Sequence, residues 1–90
     1  MYKVEVEIYD DTVNSEIMKH PSRNYPGLLV QGDSLFVFCQ KLDRLFSELK
    51  GNNSDAEDMA NDIRNNLWDK LNHYQGVLIK HKIKPPYKRI

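Results

Sequence analysis

The sequence is short of cysteine, of glycine and of any excess charge, and each shortage removes a class of function. Cys39 is the only cysteine among 90 residues. An intramolecular disulfide is therefore excluded, and so is a metal site built from cysteines alone. Four glycines are too few and too scattered for a loop that cradles phosphate. Acidic and basic residues balance at 13 each. No global field draws the chain to nucleic acid or to an anionic membrane. No apolar run approaches the roughly 20 residues of a membrane helix. The opening MYKVEVEIYDD lacks the apolar centre of a secretory signal, so a cytoplasmic location is expected.

What is present suits one small folded domain over residues 1–90. Apolar content is 40% and aromatic content 10%, enough for a single core. A core of that size leaves modest stability, and a homodimer is one way to add to it.

The pattern of residues divides the chain into strands and loops over 1–31, two helices and a tail. In KVEVEIY, Val4, Val6 and Ile8 alternate with Lys3, Glu5, Glu7 and Tyr9, which predicts a strand with one apolar face. SEIMKH (15–20) reads as a second strand, with a single helical turn as the alternative. Prolines bound the loop PSRNYPG. LLVQ (28–31) reads as a third strand ending at Gly32, and Asp33 is expected to cap a helix over 33–50. That helix carries Leu35, Phe38, Cys39, Leu42, Leu45, Phe46 and Leu49 at spacings of three and four, and Gly51 follows it. Ser54 and Glu57 form a capping box for a second helix over 54–81, with Met59, Ala60, Ile63, Leu67, Leu71, Tyr74 and Leu78 on its apolar face. Gly76 weakens that helix, and the alternative is an end near Tyr74 with VLIKHKI as a further strand; the spacing continues through Leu78, so a continuous helix to about His81 is expected. Prolines make 82–90 an extended basic tail. The expected fold is α+β, a two- or three-stranded antiparallel sheet packed against a two-helix hairpin.

The candidate site is the segment RNYPGLLVQGDS. Gly32 would let backbone approach a ligand, the helix N-terminus would favour an anion, and Arg23 could supply a planar fork for phosphate or carboxylate. Gln31 and Ser34 would add neutral hydrogen bonds. The competing reading is structural: Pro26-Gly27 and Gly32 make turns, Asp33 caps the helix, and Arg23 pairs locally. The charge on Asp33 also opposes a second anion at that helix end.

The same segment carries a resemblance. Arg23, Tyr25, Pro26, Gly27, Gln31, Gly32, Asp33, Ser34 and Leu35, followed later by Pro86-Tyr87, resemble the signature of a widespread, uncharacterised family of small bacterial proteins. The resemblance spans nearly the whole chain. It implies a bacterial origin and a compact layout of strands and helices, and it implies no activity. Lys88-Arg89-Ile90 extends beyond that pattern.

Other constellations are weaker. Lys80, His81, Lys82, Lys84, Lys88 and Arg89 surround Tyr87, which could stack on a base, but a favourably charged helix end explains them better. His73 and His81 are too far apart in sequence for a compact helical metal pair. SDAEDMAND lacks the spacing and central glycine of a calcium loop. Cys39 falls on the apolar face and reads as a core thiol. No nucleophile–base pair is recognisable, so no catalytic residue, metal or cofactor is expected.

LFVF cannot all face one core, and Trp68 lies at the edge of its stripe, so Phe36 and Trp68 are candidate interface anchors. The expectation is a non-enzymatic protein-binding module, a homodimer, of a toxin-neutralising immunity or antitoxin type. Its contact residues would be Arg23, Tyr25, Gln31, Asp33, Ser34, Phe36 and Trp68. The alternative is a binder or sensor of a small anionic ligand or nucleotide that uses the Arg23–Ser34 loop.

Overall fold

The computed structural model describes residues 1–88, and these form an α+β fold. The chain divides into two compact units, residues 1–31 and the chain from Gly32 onward.

The first unit is an antiparallel meander of β1 (Glu7–Asp10), β2 (Ile17–Lys19) and β3 (Gly27–Leu28), in that spatial order. β1 begins later than its alternation predicts. Glu7 pairs with Lys19, after which the partner strand reaches His20 and Pro21. Proline has no N–H to give, so Val4 and Val6 have no ladder to join. Tyr9 is the extra residue of a bulge between the Ile8↔Met18 and Asp10↔Ile17 pairs. Beyond it, the Asp10 carboxylate turns the chain by accepting from the Thr12 N–H at 3.3 Å and its hydroxyl at 2.8 Å. β3 is shorter than the predicted 28–31, although the Leu29 N–H still donates to the Glu16 carbonyl at 2.8 Å.

The loop between β2 and β3 opens on a turn in which the Arg23 N–H donates to the His20 carbonyl at 3.0 Å. The Ser22 N–H lies 3.0 Å from His20 Nδ1, and the Ser22 hydroxyl 2.7 Å from it. A backbone N–H only donates, so Nδ1 accepts and the neutral ring carries its proton on Nε2.

The second unit is an antiparallel hairpin of α1 (Gly32–Leu49) and α2 (Asp55–Lys80). α2 runs unbroken through Gly76, where a Cβ would meet open space. The connection between the helices is tied by one side chain. Ser54 Oγ accepts from the Glu57 N–H at 3.1 Å, as a capping box requires. The Glu57 carboxylate reaches past the cap, accepting from the Gly51 N–H at 3.1 Å and the Asn53 N–H at 2.9 Å. Gly51 takes a φ of 92°, which a residue with a Cβ adopts only under strain. At its far end α2 closes with a Schellman motif. The Ile83 N–H donates to the Leu78 carbonyl at 2.8 Å and the Lys82 N–H to Ile79 at 3.0 Å. Lys82 holds the left-handed position with φ 59°.

The helices meet along the centre of their apolar stripes. Cys39 and Leu71 are fully buried and Ala60 nearly so, and the half-buried Leu35, Leu42, Phe46, Leu67 and Leu78 flank them. The edges of the stripes stay in solvent. Phe38 is 52% exposed, Leu45 45%, Met59 63% and Ile63 50%. A stripe predicted as one core face is thus split in two. Each helix has a single helical neighbour, and that neighbour covers only part of a face this wide.

Candidate functional site

The expected site residues fall in both units. Arg23, Tyr25 and Gln31 belong to the first, and Asp33, Ser34, Phe36 and Trp68 to the second. Arg23 and Tyr25 line one shallow cavity of about 150 Å³ with Met18, His20 and Leu28. Gln31 is exposed and lies outside that lining.

The start of α1 differs from the expectation in two respects. Gly32 is buried, and a Cβ there would collide with the Tyr74 ring, at Cζ, Oη and Cε1. The space read as room for a ligand against the Gly32 backbone is filled by a side chain of α2. Asp33 lies inside the first turn instead of ahead of it, and its Oδ1 accepts from the adjacent Ser34 N–H at 2.8 Å. The helix begins one residue early because Gly32 is packed against α2, so Asp33 is not the N-cap. Its carboxylate still sits where the helix dipole favours negative charge.

Phe36 and Trp68 are held within the second unit. The Phe36 ring stacks on Tyr87 with centroids 4.4 Å apart and planes 5° from parallel. Trp68 meets Phe36 edge-on at 6.4 Å and 88°. The Tyr87 hydroxyl donates to Gln75 Oε1 at 3.2 Å. Tyr87 therefore folds the tail back onto the hairpin, and its ring is engaged with Phe36, not presented for a base. Pro85 is half-buried with it. Of the basic cluster, Lys80, Lys82, Lys84 and Lys88 are exposed around the end of α2, and Arg89 lies outside the described residues.

An open groove of about 600 Å³ runs along the hairpin, lined by Asp43, Arg64, Asn65, Trp68, Asp69 and Asn72. At its base one carboxylate oxygen does two jobs. Asp43 Oδ1 accepts from Arg64 Nε at 2.6 Å and from Trp68 Nε1 at 2.8 Å. The Arg64 guanidinium also lies over the Phe46 ring, 5.0 Å from its centroid, and contacts Asn61 Oδ1 at 3.5 Å. Both members of the ion pair are partly exposed, so solvent weakens it. Its short distance and the shared indole bond still fix the Arg64 and Trp68 rotamers.

Of this groove the sequence reading found only Trp68. A signal for the rest was present. Asp43 interrupts the stripe of α1 between Leu42 and Leu45, and Arg64 follows Ile63 in α2, so opposite charges sit at the borders of two facing apolar stripes. What the sequence withheld was the relative register of the two helices.

Among the described residues, no group of three or more His, Cys, Asp or Glu side chains could hold a metal ion. No helix among the described residues is long and apolar enough to cross a membrane. Neither the curated proteins nor the solved structures contain a match to this chain. A family model does match over residues 1–87, which takes in the meander, the hairpin and the Tyr87 clasp, and on that match the chain belongs to DUF6959, a family of unknown function.

Proposed function

We propose that this chain is a non-enzymatic protein-binding module. The observation that carries the reading is the apolar flank of the hairpin, where Phe38 and Leu45 of α1 and Met59 and Ile63 of α2 stand about half or more in solvent. Exposed apolar surface of this kind is most often an interaction surface. Phe38 is its aromatic anchor, in the place the sequence gave to Phe36 and Trp68. A bacterial, cytoplasmic protein that works as a homodimer and neutralises a toxin by direct contact fits the small size, the balanced charge and this flank. Capture from a lysate of the native host tests the reading, with the chain and its Phe38→Asp/Ile63→Asp variant as baits. A defined protein held by the wild type and lost by the variant supports it. Recovery that is equal on both baits, or absent from both, sinks it.

The cavity that joins Arg23 and Tyr25 favours a second reading, a small anionic ligand or nucleotide. The guanidinium would take the anion and the phenol ring would cover an apolar part. Phosphate or a nucleotide would then raise the melting temperature, and Arg23→Ala would abolish the rise. The packed Gly32 and the Asp33 charge leave no part in this for the α1 N-terminus.

A further inference from the structure

We infer that two copies of this chain pair through their first strands, Tyr2–Val6 of one running antiparallel to Tyr2–Val6 of the other along the edge of β1 that faces away from β2. This contact presupposes the proposed homodimer and assigns it a surface. It belongs to the first unit, whereas the apolar flank of the hairpin belongs to the second, so the two sites are separable.

The backbone leaves a place for a strand. Among the described residues β1 has β2 on one side and no strand on the other. Residues 3–6 carry the strict alternation that leads into β1, yet the chain does not pair them itself. Continuing the register sets Pro21 opposite Glu5, and proline cannot extend the ladder. Among the described residues, Tyr2, Lys3, Val4 and Glu5 make no hydrogen bond. Tyr2 is 80% exposed and Val4 45%. An extended segment with open N–H and C=O groups at a sheet edge is a template for another strand.

Charge selects a second copy as that strand. A two-fold contact needs a segment that complements itself when reversed. Centred on Val4, the antiparallel register sets Lys3 against Glu5 twice on one face. On the other face it sets Tyr2 against Val6 twice and Val4 against Val4, pairs that favour a sheet. Shifted registers lose this match. Centres at Lys3, Glu5, Val6 and Glu7 oppose Lys3 to Lys3, Glu5 to Glu5, Glu5 to Glu7 and Glu7 to Glu7. A centre between two residues sets charges against apolar side chains. A parallel in-register pair opposes every charge to its like.

Sedimentation equilibrium and thiol cross-linking test the inference. The wild type should dimerise. Lys3→Glu should raise the dimer dissociation constant about tenfold, because two attractions become two repulsions. Lys3→Glu/Glu5→Lys should restore it, and Phe38→Asp should leave it unchanged. Cys39 is buried, so an introduced cysteine is the accessible thiol. Facing Cα atoms in an antiparallel pair lie about 4.5–5.5 Å apart, within reach of a disulfide. Val4→Cys should therefore form an intermolecular disulfide under mild oxidation. Val6→Cys, about 13 Å along the strand from its own copy, should stay mainly reduced. A dimer that survives Lys3→Glu and is lost in Phe38→Asp would overturn the inference and leave the homodimer standing. A charge swap that fails to restore the dimer, or equal cross-linking at both positions, would overturn the inference too. A wild type that stays monomeric would sink both it and the homodimer.

Discussion

Single residues carry more of the hairpin's definition than their size implies, and Gly32 shows this best. It is glycine because the Tyr74 ring stands where a Cβ would be. Gly32→Ala should destabilise the protein by about 1–3 kcal/mol, the usual cost of overpacking. In a Tyr74→Leu background the same change should cost clearly less, and chemical denaturation of the four proteins reads the coupling directly. An additive cycle would mean that the two residues do not meet. Gly76 behaves oppositely. Its Cβ position is open and its backbone helical, so Gly76→Ala should stabilise by about 0.5–1 kcal/mol. Asp43 is a third case, since one of its oxygens serves two donors. Asp43→Ala removes the acceptor that Arg64 and Trp68 share and should cost about 1–2 kcal/mol. Asp43→Asn keeps an acceptor oxygen and should cost no more than half as much in the same denaturation experiment.

At the scale of elements, the two ends of α2 are built with unequal care. Ser54 and Glu57 satisfy its start and its incoming loop at once. Its C-terminal Schellman motif is complete in hydrogen bonds, yet it places a lysine where glycine is the natural residue. A left-handed non-glycine residue costs roughly 1–2 kcal/mol. Lys82→Gly should recover about 1 kcal/mol of that, visible as a higher melting temperature with unchanged helical circular dichroism. A lower melting temperature would show that the Lys82 side chain stabilises the helix end by more than its backbone strain costs. The caps also explain why the helices were legible in the sequence. Ser54, Glu57 and Gly51 are local signals, and local signals decide where a helix starts and stops. The strands were legible only in part, because a strand's length is set by its partner. Val4 and Val6 alternate correctly, but continuing the register puts Pro21 opposite Glu5 between them, and proline cannot extend the ladder.

For the whole molecule, the parts the sequence hid are those that join elements distant along the chain. The Asp43–Arg64–Trp68 arrangement spans both helices, and Tyr87 reaches back to Phe36. No periodicity encodes such meetings. They depend on how two helices slide against each other and where the tail turns. The same distinction predicts where stability lies. The fully buried side chains, Cys39 and Leu71, are both in the helical hairpin. The meander has strands of two to four residues and no buried side chain among its described residues. Sheets that small are marginal without a packed face. Native-state hydrogen exchange should therefore protect amides near Cys39 and Leu71 most strongly, with those of Met18 and Leu28 exchanging at least about tenfold faster through local opening. Equal protection in both units would show that they unfold as one body and would refute this division of stability. If protection is uneven as expected, mild destabilisation should release the meander first, and with it the Arg23–Tyr25 cavity. The groove at Trp68 would then stay formed, and its indole resonance would be unchanged while the strand resonances disappear.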